Sequence, residues 1–156
     1  MVLTACGAST DDDGIGCSYD ETVAGVTVSG KTGSKPIVTV GEEAQPASEL
    51  LIQDLCEGTG PQASGAPEEV ATADYMGVAL STGIEFDNSY DRGAPLELSL
   101  GSVIPGWQQG MAGMKVGGTR LLIIPADLGY GEFGSPPVIG PNETLIFVID
   151  LLDVQN

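Results

Sequence analysis

One segment with helical spacing stands among strand-like segments, and it limits the folds open to this chain of 156 residues more than any other feature. Trp107, Met111 and Met114 recur at i, i+4 and i+7, which would place them on one apolar stripe of a short helix. Pro105 stands where a first helical turn tolerates proline, and glycines follow the segment at residues 117–118. Each internal glycine weakens an isolated helix by up to about 1 kcal/mol, so we expect tertiary packing to stabilise this one.

The segments around this helix have the composition and spacing of strands. We predict strands at residues 49–55, 70–80, 96–100, 119–124 and 144–152. In the last of these, alternate residues from Leu145 to Leu151 fall on one face. About five strands with one short apolar helix predict an α+β domain, in which an antiparallel sheet half-wraps the helix. We place this domain at residues 47–156.

The charge balance excludes several classes of function. The chain has 22 acidic and 5 basic residues, no histidine and a net charge of −17. Because nucleic-acid backbones are bound by clustered Lys and Arg, we expect no nucleic-acid partner. Without histidine, Ser-His and Cys-His catalysis and His-ligated metals are excluded, and we expect neither a metal nor a cofactor. No apolar run reaches the roughly 18 residues of a transmembrane helix.

The N-terminal part differs in character, and we interpret residues 1–46 as a tether or linker with some local order. Small residues precede Cys6 and an acidic polar stretch follows it, which resembles a bacterial lipobox and makes Cys6 a candidate lipidation site. Only five residues precede Cys6, too few for the apolar and basic parts of a signal peptide, so either the signal has been removed, or the start is misassigned, or the match is a coincidence. An ordinary disordered N-terminus would have the same composition. Residues 26–28 and 37–40 are strand-like but too brief to define a domain.

Three cysteines are consistent with an extracytoplasmic protein, either secreted or anchored by lipid to a bacterial membrane. If Cys6 carries the lipid, Cys17 and Cys56 remain as a pair for a disulfide bond. A loop of roughly 40 residues would then be closed, stabilising the fold by about 4 kcal/mol through the unfolded chain. The alternative is two unpaired thiols.

Short motifs rich in glycine and aromatic residues are spaced along residues 48–156. They read VIPGW at 103–107, GM at 110–111, MKVGG at 114–118, GYG at 129–131 and NETLIF at 142–147. Upstream stand YMG at 75–77, Gly83, EFDNS at 85–89 and DRG at 91–93. Together these motifs resemble the FKBP-type peptidyl-prolyl isomerases. The resemblance implies an FKBP-like domain with an apolar pocket between sheet and helix, and proline-containing polypeptides as substrates.

The resemblance also implies roles for individual residues. Trp107 would form the aromatic floor of the pocket, and Tyr130 would bind the substrate carbonyl. Asp87 would stand at the pocket edge, held there by Arg92, although this pair could equally serve only to order a loop. The implied walls are Tyr75, Phe86, Val103, Ile104 and Phe147, with Ile139 over the mouth. Met111 and Met114 remain core residues by their spacing.

Three departures from the family pattern concern the same pocket. Only Gly101 and Ser102 separate Leu100 from Val103, which is about two residues shorter than usual in the family. Leu96 stands where an aromatic wall residue is common, which widens the pocket. Residues 135–138, SPPV, differ in the mouth loop that tunes substrate choice in the family.

The function implied is peptidyl-prolyl cis-trans isomerisation in exported proteins. Rotation of an X-Pro bond needs no nucleophile, metal or proton transfer, so a chain without histidine is suited to it. Two rival hypotheses remain: a prolyl-peptide binding module or holdase without turnover, and an inert surface lipoprotein. Macrolide binding in the pocket is a further expectation of the resemblance. Nothing in the sequence indicates a dimer, and we expect a monomer.

Overall fold

The fold is described from a computed structural model, which covers residues 9–10 and 17–155. It contains two antiparallel sheets, one short α-helix and one 3-10 turn at Ala126–Leu128. The N-terminal strands are β1 Ser9–Thr10, β2 Cys17–Val23, β3 Val26–Lys31 and β4 Ile37–Val40. The remaining elements are β5 Leu51–Cys56, β6 Val70–Ala79, β7 Glu85–Asn88, β8 Leu96–Ser99, α1 Pro105–Met111, β9 Thr119–Ile124 and β10 Leu145–Gln155.

The main sheet has the strand order β5-β9-β10-β6-β7, and β8 pairs with β6 beyond the end of β7. Each of these pairings is antiparallel, and α1 lies against one face of the sheet. The predicted α+β class, with an antiparallel sheet and a single short α-helix, is therefore confirmed. The sheet has six strands where about five were predicted. The additional strand is β7, whose short sequence EFDN has too little apolar alternation to predict a strand.

Contacts with β9 hold the short helix against the sheet. Trp107 and Met111 are buried on the helix and Met114 just beyond it, as their spacing predicts. A Cβ on Gly110 would lie 2.6 Å from Leu122 Cδ1, so glycine permits this close approach of helix and strand. The glycines weaken the isolated helix, but their lack of a Cβ allows the helix to pack closely against β9.

Arg120 on β9 links the end of the helix to the edge strand. Its guanidinium donates hydrogen bonds to the carbonyls of Gly110 and Ala112, at 2.8 and 3.0 Å. The same group pairs with Asp54 of β5 at 2.6 Å. Two carbonyls at the end of the helix, where no partner is available within the helix, are thereby satisfied.

The N-terminal strands form a second sheet, in the order β1-β2-β3-β4. Tyr19, Val26 and Val28 are buried in one apolar cluster with residues of the main sheet such as Met76 and Ile146. The structure contains the candidate strands at residues 26–28 and 37–40, but it places them in a packed sheet rather than in a linker with some local order. Individually these Val- and Thr-rich strands are too short to be stable, and burial against the main sheet stabilises them, which local spacing does not indicate.

The main sheet is therefore covered on both faces. On β9 all six residues are buried, and so are the first seven of β10. Leu122 and Ile124 face the helix cluster, whereas Leu121 and Ile123 belong to the cluster under the N-terminal sheet. Burial on both sides explains why these strands have continuous apolar runs rather than alternation.

A disulfide joins the two sheets at one end. Cys17 at the start of β2 is bonded to Cys56 at the end of β5, with a sequence separation of 39 and Cα atoms 6.2 Å apart. The predicted lipidation site, Cys6, lies outside the described residues. No helix within residues 17–155 has the length and apolar character required to cross a membrane.

Candidate functional site

A small apolar cavity opens between α1, the main sheet and the loop after the 3-10 turn. Its volume is about 200 Å³. It is lined by Tyr75, Asp87, Leu96, Leu98, Val103, Ile104, Trp107, Tyr130 and Phe147. Eight of these nine residues are among those that the sequence resemblance assigned to a pocket. The structure therefore brings together residues that are up to 72 positions apart in the chain.

Packed aromatic rings form the floor of the cavity. The Trp107 ring meets Tyr75 edge-on at a centroid distance of 5.4 Å, and Phe147 at 5.3 Å. Phe86 does not line the cavity, but its ring meets Phe147 edge-on at a centroid distance of 5.6 Å. Edge-to-face pairs of this kind are favourable beyond their buried area. Because each ring packs against another, the floor of the cavity is held rigid.

A charged pair stands at the edge of the cavity beside Tyr75. The Tyr75 hydroxyl donates a hydrogen bond to Asp87 Oδ2. Arg92 donates from Nη1 to Asp87 Oδ1 at 2.9 Å and from Nη2 to the Tyr75 hydroxyl at 3.0 Å. The Arg92 guanidinium also lies 5.6 Å from the centroid of the Tyr75 ring. The three side chains thus fix one another through both oxygens of the carboxylate.

This arrangement also fixes the protonation of the tyrosine. Burial raises the pKa of Tyr75, and its hydrogen bond to Asp87 raises it further, while Arg92 opposes both effects. The phenol is therefore neutral at physiological pH. The pKa of Arg92 is raised above its ordinary value, chiefly by its hydrogen bonds to Tyr75 and Asp87, so the guanidinium remains charged.

Aliphatic side chains form the walls. Leu96 of β8 lines the cavity together with Val103 and Ile104, which precede the helix. Leu98 lines it too, although the sequence analysis did not assign it to the site. Leu98 stands two residues after Leu96 on the same strand, so both project to one face, and this alternation was the signal that could have identified it.

The mouth of the cavity is formed by the loop that follows the 3-10 turn. Tyr130 lines the cavity and is 42% exposed, and its hydroxyl makes no hydrogen bond to the residues that the structure describes. Ile139, predicted over the mouth, is instead buried in the core cluster and does not line the cavity. A buried Ile139 anchors the loop, and its backbone pairs with Ser135.

The short connection at residues 101–102 forms a tight turn. Ser102 N–H donates to the Ser99 carbonyl at 2.9 Å, and Gly101 N–H donates to the Pro67 carbonyl at 2.9 Å. Both backbone donors of the turn are therefore used within the protein. The connection leads directly from β8 to Val103 at the cavity wall.

Comparison with known proteins places this geometry in a family. A family model described as FKBP-type peptidyl-prolyl cis-trans isomerase matches residues 62–152. A FK506-binding protein of Streptomyces anulatus is 52% identical over 113 residues, which cover 70% of this chain and 90% of that protein. A FK506-binding protein of Neisseria meningitidis serogroup B is 48% identical over 107 residues, or 67% of this chain and 95% of its own.

Solved structures agree with these matches. The crystal structure of FkpA from Escherichia coli superposes with a TM-score of 0.64 at 42% identity, over 71% of this chain and about half, 51%, of its own. A peptidyl-prolyl cis-trans isomerase from Pseudomonas syringae pv. tomato superposes with a TM-score of 0.62 at 33% identity, over 69% of this chain and 76% of its own. The chain therefore belongs to the FKBP-type peptidyl-prolyl cis-trans isomerases, and it is an isomerase of X-Pro bonds.

Proposed function

We propose that this isomerase acts on exported polypeptides outside the cytoplasm, and that the aromatic cavity is where the prolyl bond rotates. The observation that carries the proposal is the 200 Å³ cavity, floored by Trp107 and edged by the Asp87 carboxylate. The proline ring would rest on Trp107, among the walls formed by Leu96, Val103 and Ile104. Tyr130, with a hydroxyl at the mouth, would donate to a substrate carbonyl.

The chemistry required of the cavity is modest. The barrier to rotation of an amide is about 18–20 kcal/mol, because resonance must be lost in the twisted state. A twisted amide has a less polarised carbonyl than a planar one, so an apolar cavity destabilises the planar form relative to the twisted one. Binding the twisted bond more tightly than the planar bond lowers the barrier without any proton transfer.

The edge of the cavity would add an electrostatic contribution. The Asp87 carboxylate, held by Arg92 and Tyr75, would direct a negative field at the carbonyl carbon of the rotating bond. Because the carboxylate already accepts hydrogen bonds from both partners, it needs no reorganisation when substrate binds. A neutral Tyr75 keeps this field unchanged across the physiological pH range.

The compartment is inferred from the cysteines. A disulfide between Cys17 and Cys56 supports an oxidising environment, since such bonds are rare in the cytosol. Lipidation of Cys6, and hence attachment to a membrane, stays a prediction from the sequence. So do the monomeric state and macrolide binding in the cavity.

The test of the site is a protease-coupled assay with a prolyl tetrapeptide. Tyr130→Phe should lower kcat/KM about threefold to tenfold, which corresponds to one hydrogen bond. Tyr19→Phe is the matched control, because it removes a phenol oxygen on the opposite face of the sheet. Equal activity of both variants would remove Tyr130 from the mechanism. Binding of prolyl peptides without acceleration by the wild type would instead assign a holdase function.

Mass spectrometry of the membrane fraction would detect a lipid on Cys6, and recovery of the chain from the cytoplasm would contradict the proposed location.

A further inference from the structure

The turn between β3 and β4, residues 32–36, reaches from the N-terminal sheet to the segment that carries Asp87 and Arg92. We propose that this turn is a positioning element for the isomerase site, with Lys35 as its main positioning residue. The proposal rests on the function proposed above, because it requires that Asp87 contribute to turnover. Three groups of contacts support it: one at the surface, one at a buried carboxylate and one at Ser89.

The surface contact is an ion pair to both ends of the segment 85–92. Lys35 Nζ lies 3.2 Å from Glu85 Oε1 and 3.0 Å from Asp91 Oδ2. Asn88 connects these two acids, since its Nδ2 donates to both carboxylates and its Oδ1 accepts from Asp91 N–H at 2.7 Å. Asp87 lies inside this loop of contacts. One ammonium group therefore restrains the residues on both sides of the carboxylate at the cavity edge.

The interior contact is a buried carboxylate shared by the turn and the same segment. Asp150 Oδ2 accepts from Gly33 N–H at 3.1 Å and from the Tyr90 hydroxyl at 2.6 Å. Its other oxygen accepts from Thr119 Oγ1 at 2.5 Å. Tyr90 lies between Asp87 and Arg92 in the chain, so the turn and the segment are bound to one buried oxygen. Charge-assisted hydrogen bonds of this kind are among the stronger ones in proteins.

A third set of contacts carries the restraint to Tyr75. Ser89, fully buried, accepts from Tyr75 N–H at 2.9 Å and donates to Asp74 at 2.7 Å. The segment 85–92 is therefore fixed to β6 at Ser89, to β10 through Tyr90 and to the N-terminal sheet through Lys35.

Lys35→Met tests the surface contact, since it removes the charge and keeps the length of the side chain. We expect kcat/KM to fall about twofold to fivefold, the range for a partly exposed ion pair. Lys115→Met is the matched control, because Lys115 pairs with Glu57 at 3.5 Å, has similar exposure and belongs to a different part of the surface. Lys35→Arg should restore the activity, and about 1 M salt should remove most of the difference between wild type and Lys35→Met.

A double-mutant cycle separates positioning from general stability. If Lys35 acts through Asp87, Lys35→Met should have no further effect on kcat/KM in the Asp87→Asn background, whereas unrelated losses would multiply. Tyr90→Phe tests the interior contact and should give a similar loss at a temperature where urea titration shows the variant to be folded. Full activity of Lys35→Met, or losses that multiply with Asp87→Asn, would overturn the proposal. If Asp87→Asn itself is fully active, the proposed role of Asp87 fails, and comparison of Lys35→Met with Lys115→Met still decides whether the turn affects turnover.

Discussion

Gly77 on β6 stands where two of the site's aromatic rings converge, and Gly77→Ala is the perturbation we develop first. A Cβ at this position would lie 2.7 Å from Phe86 Cζ and 2.8 Å from Phe147 Cε1. Ordinary contacts of a Cβ begin at 3.4 Å, so each ring would have to move by about 0.7 Å. Phe147 is confined by Trp107 and the core, and Phe86 is only half-buried, so Phe86 should move further.

Gly77→Ala should lower the free energy of unfolding through overpacking, and it should lower kcat/KM by displacing the aromatic rings of the cavity. Adding one methyl to a well-packed interior costs about 1–3 kcal/mol of unfolding free energy. A displacement approaching 1 Å at a positioned floor can cost up to about a hundredfold in rate, and we expect about a tenfold loss of kcat/KM for this smaller shift. Urea unfolding measures the first effect, and the protease-coupled assay measures the second.

Gly140→Ala is the control for the stability measurement. A Cβ there would have no atom within 4 Å, so we expect a change within about 0.5 kcal/mol of wild type. A Gly77→Ala variant with wild-type stability and turnover would refute the reasoning, because it would mean that the rings can separate without cost.

Three further predictions concern the layer opposite the cavity. Tyr19→Phe should raise the free energy of unfolding by about 1 kcal/mol, because the buried Tyr19 hydroxyl has no partner among the described residues; urea titration measures this, and a less stable variant would contradict it. Replacing Cys17 and Cys56 by Ser should lower the same quantity by about 4 kcal/mol, and an unchanged midpoint in urea would count against the bond. Burial raises the pKa of Asp150 despite its hydrogen bonds, so the folded state takes up this proton at a higher pH than the unfolded chain does. On lowering the pH from about 7 towards 4, the wild type should therefore gain stability relative to Asp150→Asn, and a constant difference would contradict this.

The sequence predicted the elements whose pattern is local. The i, i+4, i+7 spacing of Trp107, Met111 and Met114 located the helix, and strand boundaries near Val70 and Thr119 were predicted correctly. The pairing of Tyr75 with Asp87 and Arg92 could not be obtained from spacing, because it joins separate elements. The family resemblance implied the pairing of Asp87 with Arg92, but it assigned Tyr75 only to the pocket wall, and the contacts of Tyr75 with this pair come from the structure.

The missing parts depend on tertiary packing. Considered alone, residues 17–40 have the composition of a polar linker, since each strand has only two or three apolar residues. Their stability comes from Met76, Val78 and Ile146 on the neighbouring sheet, which no local window includes. Leu98 was missed for a simpler reason, because the segment 96–100 was used to predict a strand and not a cavity wall.

The covering of the main sheet on both faces limits how this enzyme can be divided. An isomerase fragment cut out at residue 47 would expose Met76, Val78, Leu121, Ile146 and Val148 as one continuous apolar surface. Surfaces of this kind drive self-association in water, so such a fragment would aggregate or require a new partner. The fragment would also lose the hydrogen bond from Gly33 N–H to Asp150, and Cys56 would be left as a free thiol without Cys17. We therefore expect residues 47–156 to need residues 17–46 for solubility, and a fusion or truncation should retain them.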